Sequence, residues 1–113
     1  NPPSKSKHLE LLRNSSYIWL ALDNKNEKVI GFINAITDQV LSAYIPLLEV
    51  LPEHQGKGIG KKLAELMIET LKTYYMVDII CDPNMQPFYE QFGMHKASGV
   101  SIRNHEKQDG LKN

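Results

Sequence analysis

The stretch that limits this chain most runs from residue 47 to residue 74, LLEVLPEHQGKGIGKKLAELMIETLKTY. It opens as an apolar run broken by one acid, Glu49, and Pro52 ends that run. A glycine-rich turn follows, Gln55-Gly56-Lys57-Gly58-Ile59-Gly60, and then an amphipathic pattern. Ile59, Leu63, Leu66, Met67, Thr70, Leu71 and Tyr74 share one side of a helix; Lys61, Lys62, Glu65, Glu69 and Lys72 share the other. Strand, glycine turn and helix in that order aim several backbone N–H groups and a helix N-terminus at one anion. Glycine serves where the backbone approaches a ligand closely or takes positive φ. The stretch predicts a ligand that carries phosphate.

Two common phosphate loops do not match. The Walker pattern places four residues between its first glycine and a Gly-Lys pair, followed by Ser or Thr. Here three residues separate Gly56 from Gly60, and Lys61 is followed by Lys62. The dinucleotide fingerprint needs its third glycine five positions after the first, and an acid about 20 positions further on at the end of a second strand. Neither is present. What the loop does contain is Gln-x-x-Gly-x-Gly, at Gln55, Gly58 and Gly60, preceded by Val50-Leu51-Pro52-Glu53. With these residues the segment resembles the acetyl-CoA loop of the GNAT superfamily of N-acetyltransferases. The competing reading is a glycine turn that only joins a strand to a helix. A second segment, Phe88-Tyr89-Glu90-Gln91-Phe92-Gly93-Met94, resembles the Phe-Tyr-x-x-x-Gly-Phe motif that closes the cofactor site in that family, with Met94 in place of the usual Phe.

The resemblance covers roughly residues 47–94 and implies the roles that follow. Main-chain N–H groups of Gln55, Gly56, Lys57, Gly58, Ile59, Gly60 and Lys61 would cradle the CoA pyrophosphate. Backbone groups at Leu48 and Val50 would pair with the pantetheine arm as if it were an added strand. A splay between that strand and residues 76–81 would admit the thioester. Tyr89 would bond the CoA sulfur and protonate the departing thiolate, a role suited to a phenol within hydrogen-bond reach. From its position alone, Tyr89 reads equally as an aromatic packed on the apolar side of a helix. Glu49 is the candidate base: alternation sets it on the face opposite Leu48 and Val50, and a partly buried carboxylate there would take a proton from an ammonium acceptor, directly or through water. A solvent-facing or lysine-paired glutamate is the alternative.

The fold implied is α/β (α+β), with a mixed, mostly antiparallel sheet flanked by helices. The function implied is acetyl transfer from acetyl-CoA to an amine, on a small molecule or a protein, by direct attack in a ternary complex. Departures are two. The family's usual Asn seven residues before the tyrosine is Asp82 here, and only one short helix fits before Tyr17, whereas the family opens with a strand and two helices. An acyl-CoA-binding module without catalysis is therefore the second reading. The first strand's exposed edge invites a homodimer, and a start at Asn1 suggests a piece of a longer protein.

In order, Ser4 or Ser6 caps a helix over residues 5–13. Residues 17–22, almost wholly apolar, read as a strand covered on both faces. A polar turn at 23–27 leads to a partner strand over 28–37. Asp38-Gln39 turns the chain into a third strand, 40–51, in which Pro46 marks a bulge or an edge. The helix spans 58–74 and a buried strand 76–81. Asp82 caps a helix that runs to Phe92 and ends on a left-handed Gly93, with Pro87 as a distortion. Residues 94–103 form a last strand. Residues 1–4 and 105–113 are loosely ordered, and 1–113 is one domain.

Thirteen basic and thirteen acidic residues cancel, which offers no electrostatic case for nucleic acid or an anionic membrane. The single cysteine, Cys81, allows no internal disulfide and reads as a buried, inert thiol. His8, His54, His95 and His105 lack metal-ligand spacing, so no metal is expected. No apolar run nears the roughly 20 residues of a spanning helix, and cytoplasm is the default compartment.

Overall fold

The computed structural model describes residues 3–111. Its central strand is β2, Val29–Thr37, buried over most of its length. One side of that strand, with Ile33 and Ala35, joins Ala43, Ile45, Leu63, Met67 and Leu71 in the hydrophobic core. Leu63 and Met67 lie on one face of α2, Ile59–Thr70, and Leu71 at its C-cap continues that face at the same spacing. Burying each such side chain stabilises the fold by about 1.5–3 kcal/mol. The opposite face of β2 meets α1, Lys5–Arg13, which Ser4 caps by accepting the Lys7 N–H at 3.3 Å.

β1, Tyr17–Leu22, pairs antiparallel with β2 across the polar turn at 23–27. β3, Ser42–Tyr44, and β4, Leu48–Val50, pair antiparallel with the other edge of β2, and β5, Met76–Asp78, runs parallel to β3. The sheet is mixed, mostly antiparallel and flanked by helices, as expected. Between β2 and β3 the Asp38 Oδ1 accepts the N–H groups of Val40, Leu41 and Ser42 at 2.9, 2.8 and 3.1 Å. Those bonds hold its carboxyl at about 2.

Six expectations change. β1 is covered on one face only. Trp19 donates its indole N–H to Thr70 at 2.9 Å and the Tyr17 and Tyr74 hydroxyls meet at 3.1 Å on the α2 side. On the other side Ile18, Leu20 and Leu22 are 40%, 43% and 51% exposed, because the nine-residue α1 is too short to span the sheet. The strand expected over 40–51 is two strands, parted at residues 45–47. The helix expected over 82–92 is a 3-10 turn, Pro83–Met85, followed by α3, Gln86–Glu90; Asp82 sits at the cap position without a side-chain cap bond. The strand expected over 94–103 has no ladder. Gly93 does take a left-handed φ of 91°, but a cavity of about 280 Å³ separates the following segment from residues 77–81, so the ladder spacing of about 4.8 Å is not reached. Val100 and Ile102 are 100% and 93% exposed. The helix after the glycine loop stops at Thr70 and closes in turns, with Leu71 N–H on Met67 O and Tyr74 N–H on Leu71 O, both at 3.0 Å. The buried strand expected over 76–81 is the three-residue β5, at the edge of the sheet, with Met76, Asp78 and Ile80 exposed. Residues 105–107 form a single 3-10 turn. Of the segments expected to be loose, residues 1, 2, 112 and 113 lie outside the described residues.

Candidate active site

The site begins with a one-residue slip in the sheet. Ile36 faces Tyr44, whereas Ile33 faces Leu48. Three steps on β2 therefore match four on its partner, which places one extra residue at 45–47. This is a β-bulge at Pro46, where no donor is lost because proline has no N–H. The bulge reverses which residues point where. Before it, Ile45 N–H reaches across to Asp78 O at 3.0 Å. After it, Asn34 N–H bonds Leu47 O at 3.2 Å and Leu51 N–H bonds Ile30 O at 2.8 Å, so residues 47, 49 and 51 turn their N–H and C=O groups toward β2. Leu48 and Val50 then direct theirs away from it, by the alternation of an antiparallel ladder. Pairing with β5 ends at Tyr44 and Asp78. The two chains diverge beyond that point, with the outward groups of Leu48 and Val50 along one arm.

β4 leads through a 3-10 turn, Pro52–His54, into the glycine loop. Gly56 and Gly58 have φ of 77° and 84°, in the left-handed region that other residues enter only with strain. Gly58 is the N-cap of α2, and Lys62 N–H is bonded to Gly58 O at 3.0 Å. Ile59, Gly60 and Lys61 sit before that first inward bond, where a helix offers its N–H groups no acceptor of its own. Lys57, Lys61 and Lys62 are exposed around them. Two groups of the loop are already engaged: Gln55 N–H bonds Pro52 O at 3.3 Å, and its side-chain amide donates to Val50 O at 3.0 Å. That leaves Val50 N–H and both groups of Leu48 on the open edge. His54 lies 3.8 Å from Asp23.

Tyr89 stands on α3 in an aromatic group, with Phe88 centred 5.0 Å away and Phe88 itself 5.3 Å from Phe92. It lines the cavity beside residues 77–81 together with Cys81 and Met94. Burial, and then the neighbouring Cys81, push its phenol above the ordinary 10.0, so it carries its proton at neutral pH. Cys81 is partly exposed, not buried as expected.

Glu49 faces the other side of the sheet, into a groove of about 1050 Å³ bounded by α1, β2 and β4. Its side chain is 50% exposed, in place of the partial burial expected, and its Oε1 is 3.9 Å from His8 Nε2. His8 Nδ1 lies 3.3 Å from Ser4 O, and its ring meets Phe32 edge-on at 6.3 Å. Leu48, Glu49, Val50 and Gln55 share this groove, while Tyr89 lines the cavity by β5. The two spaces have no lining residue in common. Sequence reasoning weighed His8 only as a metal ligand and passed over Asn34. An asparagine inside an apolar strand was the available signal, since a buried amide must find partners. Among the described residues no group of three or more His, Cys, Asp or Glu comes together as a metal site, and no helix is long and apolar enough to cross a membrane.

Residues 2–94 match the model of the Acetyltransferase (GNAT) family. The chain is 30% identical over 89 residues to an uncharacterized N-acetyltransferase, ycf52, of Pyropia yezoensis, covering 75% of this chain and 51% of that protein. It is 31% identical over 71 residues to the GCN5-related N-acetyltransferase 2, chloroplastic, of Arabidopsis thaliana, covering 61% of this chain and 28% of that protein. The chain thus spans about half the length, or less, of these curated relatives. The crystal structure of a candidate acetyltransferase from Deinococcus radiodurans R1 superposes with a TM-score of 0.91 at 35% identity, covering 100% of this chain and 78% of that one. Motifs, sheet and family match agree, and the chain belongs to the GNAT family of acetyltransferases.

Proposed function

We propose that the chain carries the acetyl-CoA side of an N-acetyltransferase that moves an acetyl group to an amine by direct attack. The observation that supports this most is the bulge. It leaves Leu48 and Val50 as an unpaired strand edge that diverges from β5, and that edge runs straight into the glycine loop and the N-terminus of α2. An extended thiol arm with an amide backbone fits the edge, and a diphosphate fits the first-turn amides of Ile59, Gly60 and Lys61 with those of Gly56, Lys57 and Gly58. Gln55 contributes through its side-chain bond to Val50 O.

The acceptor nitrogen attacks the thioester carbonyl carbon, and the C–S bond breaks. Tyr89, protonated at neutral pH, gives its proton to the leaving sulfur. Glu49, opening on the α1 groove, takes the proton the nitrogen loses, directly or through water. The acceptor amine, small or protein-borne, enters from the groove that Glu49 shares with His8. Release of free thiol from acetyl-CoA, measured over a panel of amines, tests the reading. Turnover with at least one amine that disappears in Tyr89→Phe is the expected result. Tight CoA binding with no turnover for any amine would leave a binding module instead, and absence of CoA binding would remove the proposal altogether.

A further inference from the structure

We infer that Asn34 is a positioning residue, whose side chain sets the bulge that opens the Leu48–Val50 edge and ties α1 to it. The inference deepens the acetyl-transfer reading and rests on it. Asn34 is 1% exposed on a strand of apolar neighbours. In a regular ladder Leu47 N–H would bond the main-chain carbonyl of Asn34. Here it bonds the side-chain Oδ1, at 3.1 Å, while Asn34 N–H keeps Leu47 O at 3.2 Å. The side chain thus fills the gap that the extra residue opens, and grips Leu47 from both ends of its backbone.

The other end of the amide faces α1. Asn34 Nδ2 donates to Ser15 Oγ at 3.0 Å, and Ser15 Oγ donates its own proton to Leu11 O at 2.9 Å. The orientation has no alternative. Leu47 N–H can only donate, and the Ser15 proton is committed to Leu11, so the oxygen must face Leu47 and the nitrogen Ser15. A single buried side chain therefore links the last turn of α1, which walls the acceptor groove, to the bulge that frees the donor edge. Leucine at this position has similar volume and neither function. Serine is too short to reach both partners.

Three variants separate the two links. Ser15→Ala cuts the link to α1 and leaves the bulge bond. It raises KM for the amine about two- to tenfold with the CoA Kd unchanged. Asn34→Leu cuts both, and leaves Leu47 N–H without its acceptor. It raises the CoA Kd about ten- to a hundredfold and speeds hydrogen exchange at the Leu47 amide, which stays protected in Ser15→Ala. If Asn34→Leu does not fold, Asn34→Ser carries the same expectation. A fall in Tm in these variants with Kd, KM and Leu47 exchange all at wild-type values would overturn the inference and leave Asn34 as packing. Wild-type protein that binds CoA but releases no thiol would defeat the acetyl-transfer reading alone, since Kd and Leu47 exchange still decide the role of Asn34. A Leu47 amide that exchanges freely in the wild type defeats the inference whatever the activity.

Discussion

The two faces of the sheet are finished to different degrees. Toward α2, Ile33, Ala35, Leu63, Met67 and Leu71 are buried together. Toward α1, Ile18, Leu20, Leu22 and Ile36 remain exposed, and α1 itself buries no residue fully. The difference follows from the two helices. α2 has twelve residues and an apolar stripe that meets Ile33 and Ala35. α1 has nine residues and covers only part of the opposite face. How completely a sheet face is closed depends on the length and apolar pattern of the helix laid on it, not only on the apolarity of its own strands.

The largest expected effect tests the chemistry proposed for Tyr89. Tyr89→Phe should lower turnover by about 10²–10⁴-fold, the range for one positioned proton donor, with CoA affinity and Tm at wild-type values; an unchanged rate would remove Tyr89 from the chemistry. Next come paired substitutions, one for each face. Met67→Ala should cost about 2–5 kcal/mol in chemical denaturation, whereas Leu20→Ser, on the open face, should stay within about 0.5 kcal/mol. Equal losses would break the contrast between the faces. Gly58→Val should cost about 1–2 kcal/mol through its left-handed φ and weaken CoA, because no neighbouring atom lies within 4 Å of the new Cβ and strain alone acts. The smallest effect is at Asp38. Its carboxyl titrates near 2 in the fold against 3.8 ordinarily. The folded value is depressed, so its contribution is complete above about pH 4 and fades as pH falls toward 2. A Tm difference between wild type and Asp38→Asn should be present at pH 6 and vanish near pH 2; a difference that grows in acid would show the sign to be wrong.

Much of the fold was legible because it is written in local rules. The left-handed glycines, the Ser4 cap, the hairpin at 23–27 and the apolar side of α2 each depend on residues a few positions apart. Pro46 announced a bulge or an edge. What could not be read was the consequence, since a one-residue slip is defined only against the partner strand. Residues 94–103 alternate well enough for a strand, yet a ladder requires a neighbour at hydrogen-bond distance, and the cavity beside Tyr89 intervenes. Tyr17–Leu22 is apolar on both sides, and apolarity alone does not supply a cover for each. Glu49 and Tyr89 were named from sequence, but not that they open on different spaces.

Taken alone, the order of residues decided the local conformations: where glycine must turn the chain, where helices begin, and which side chains share a stripe, because those follow from steric and periodic constraints within a few residues. Tertiary structure decided that Leu48 and Val50 face outward and that Asn34 holds them so, because the direction of a strand's hydrogen-bonding groups is set by register across the sheet, and register is a property of two segments at once.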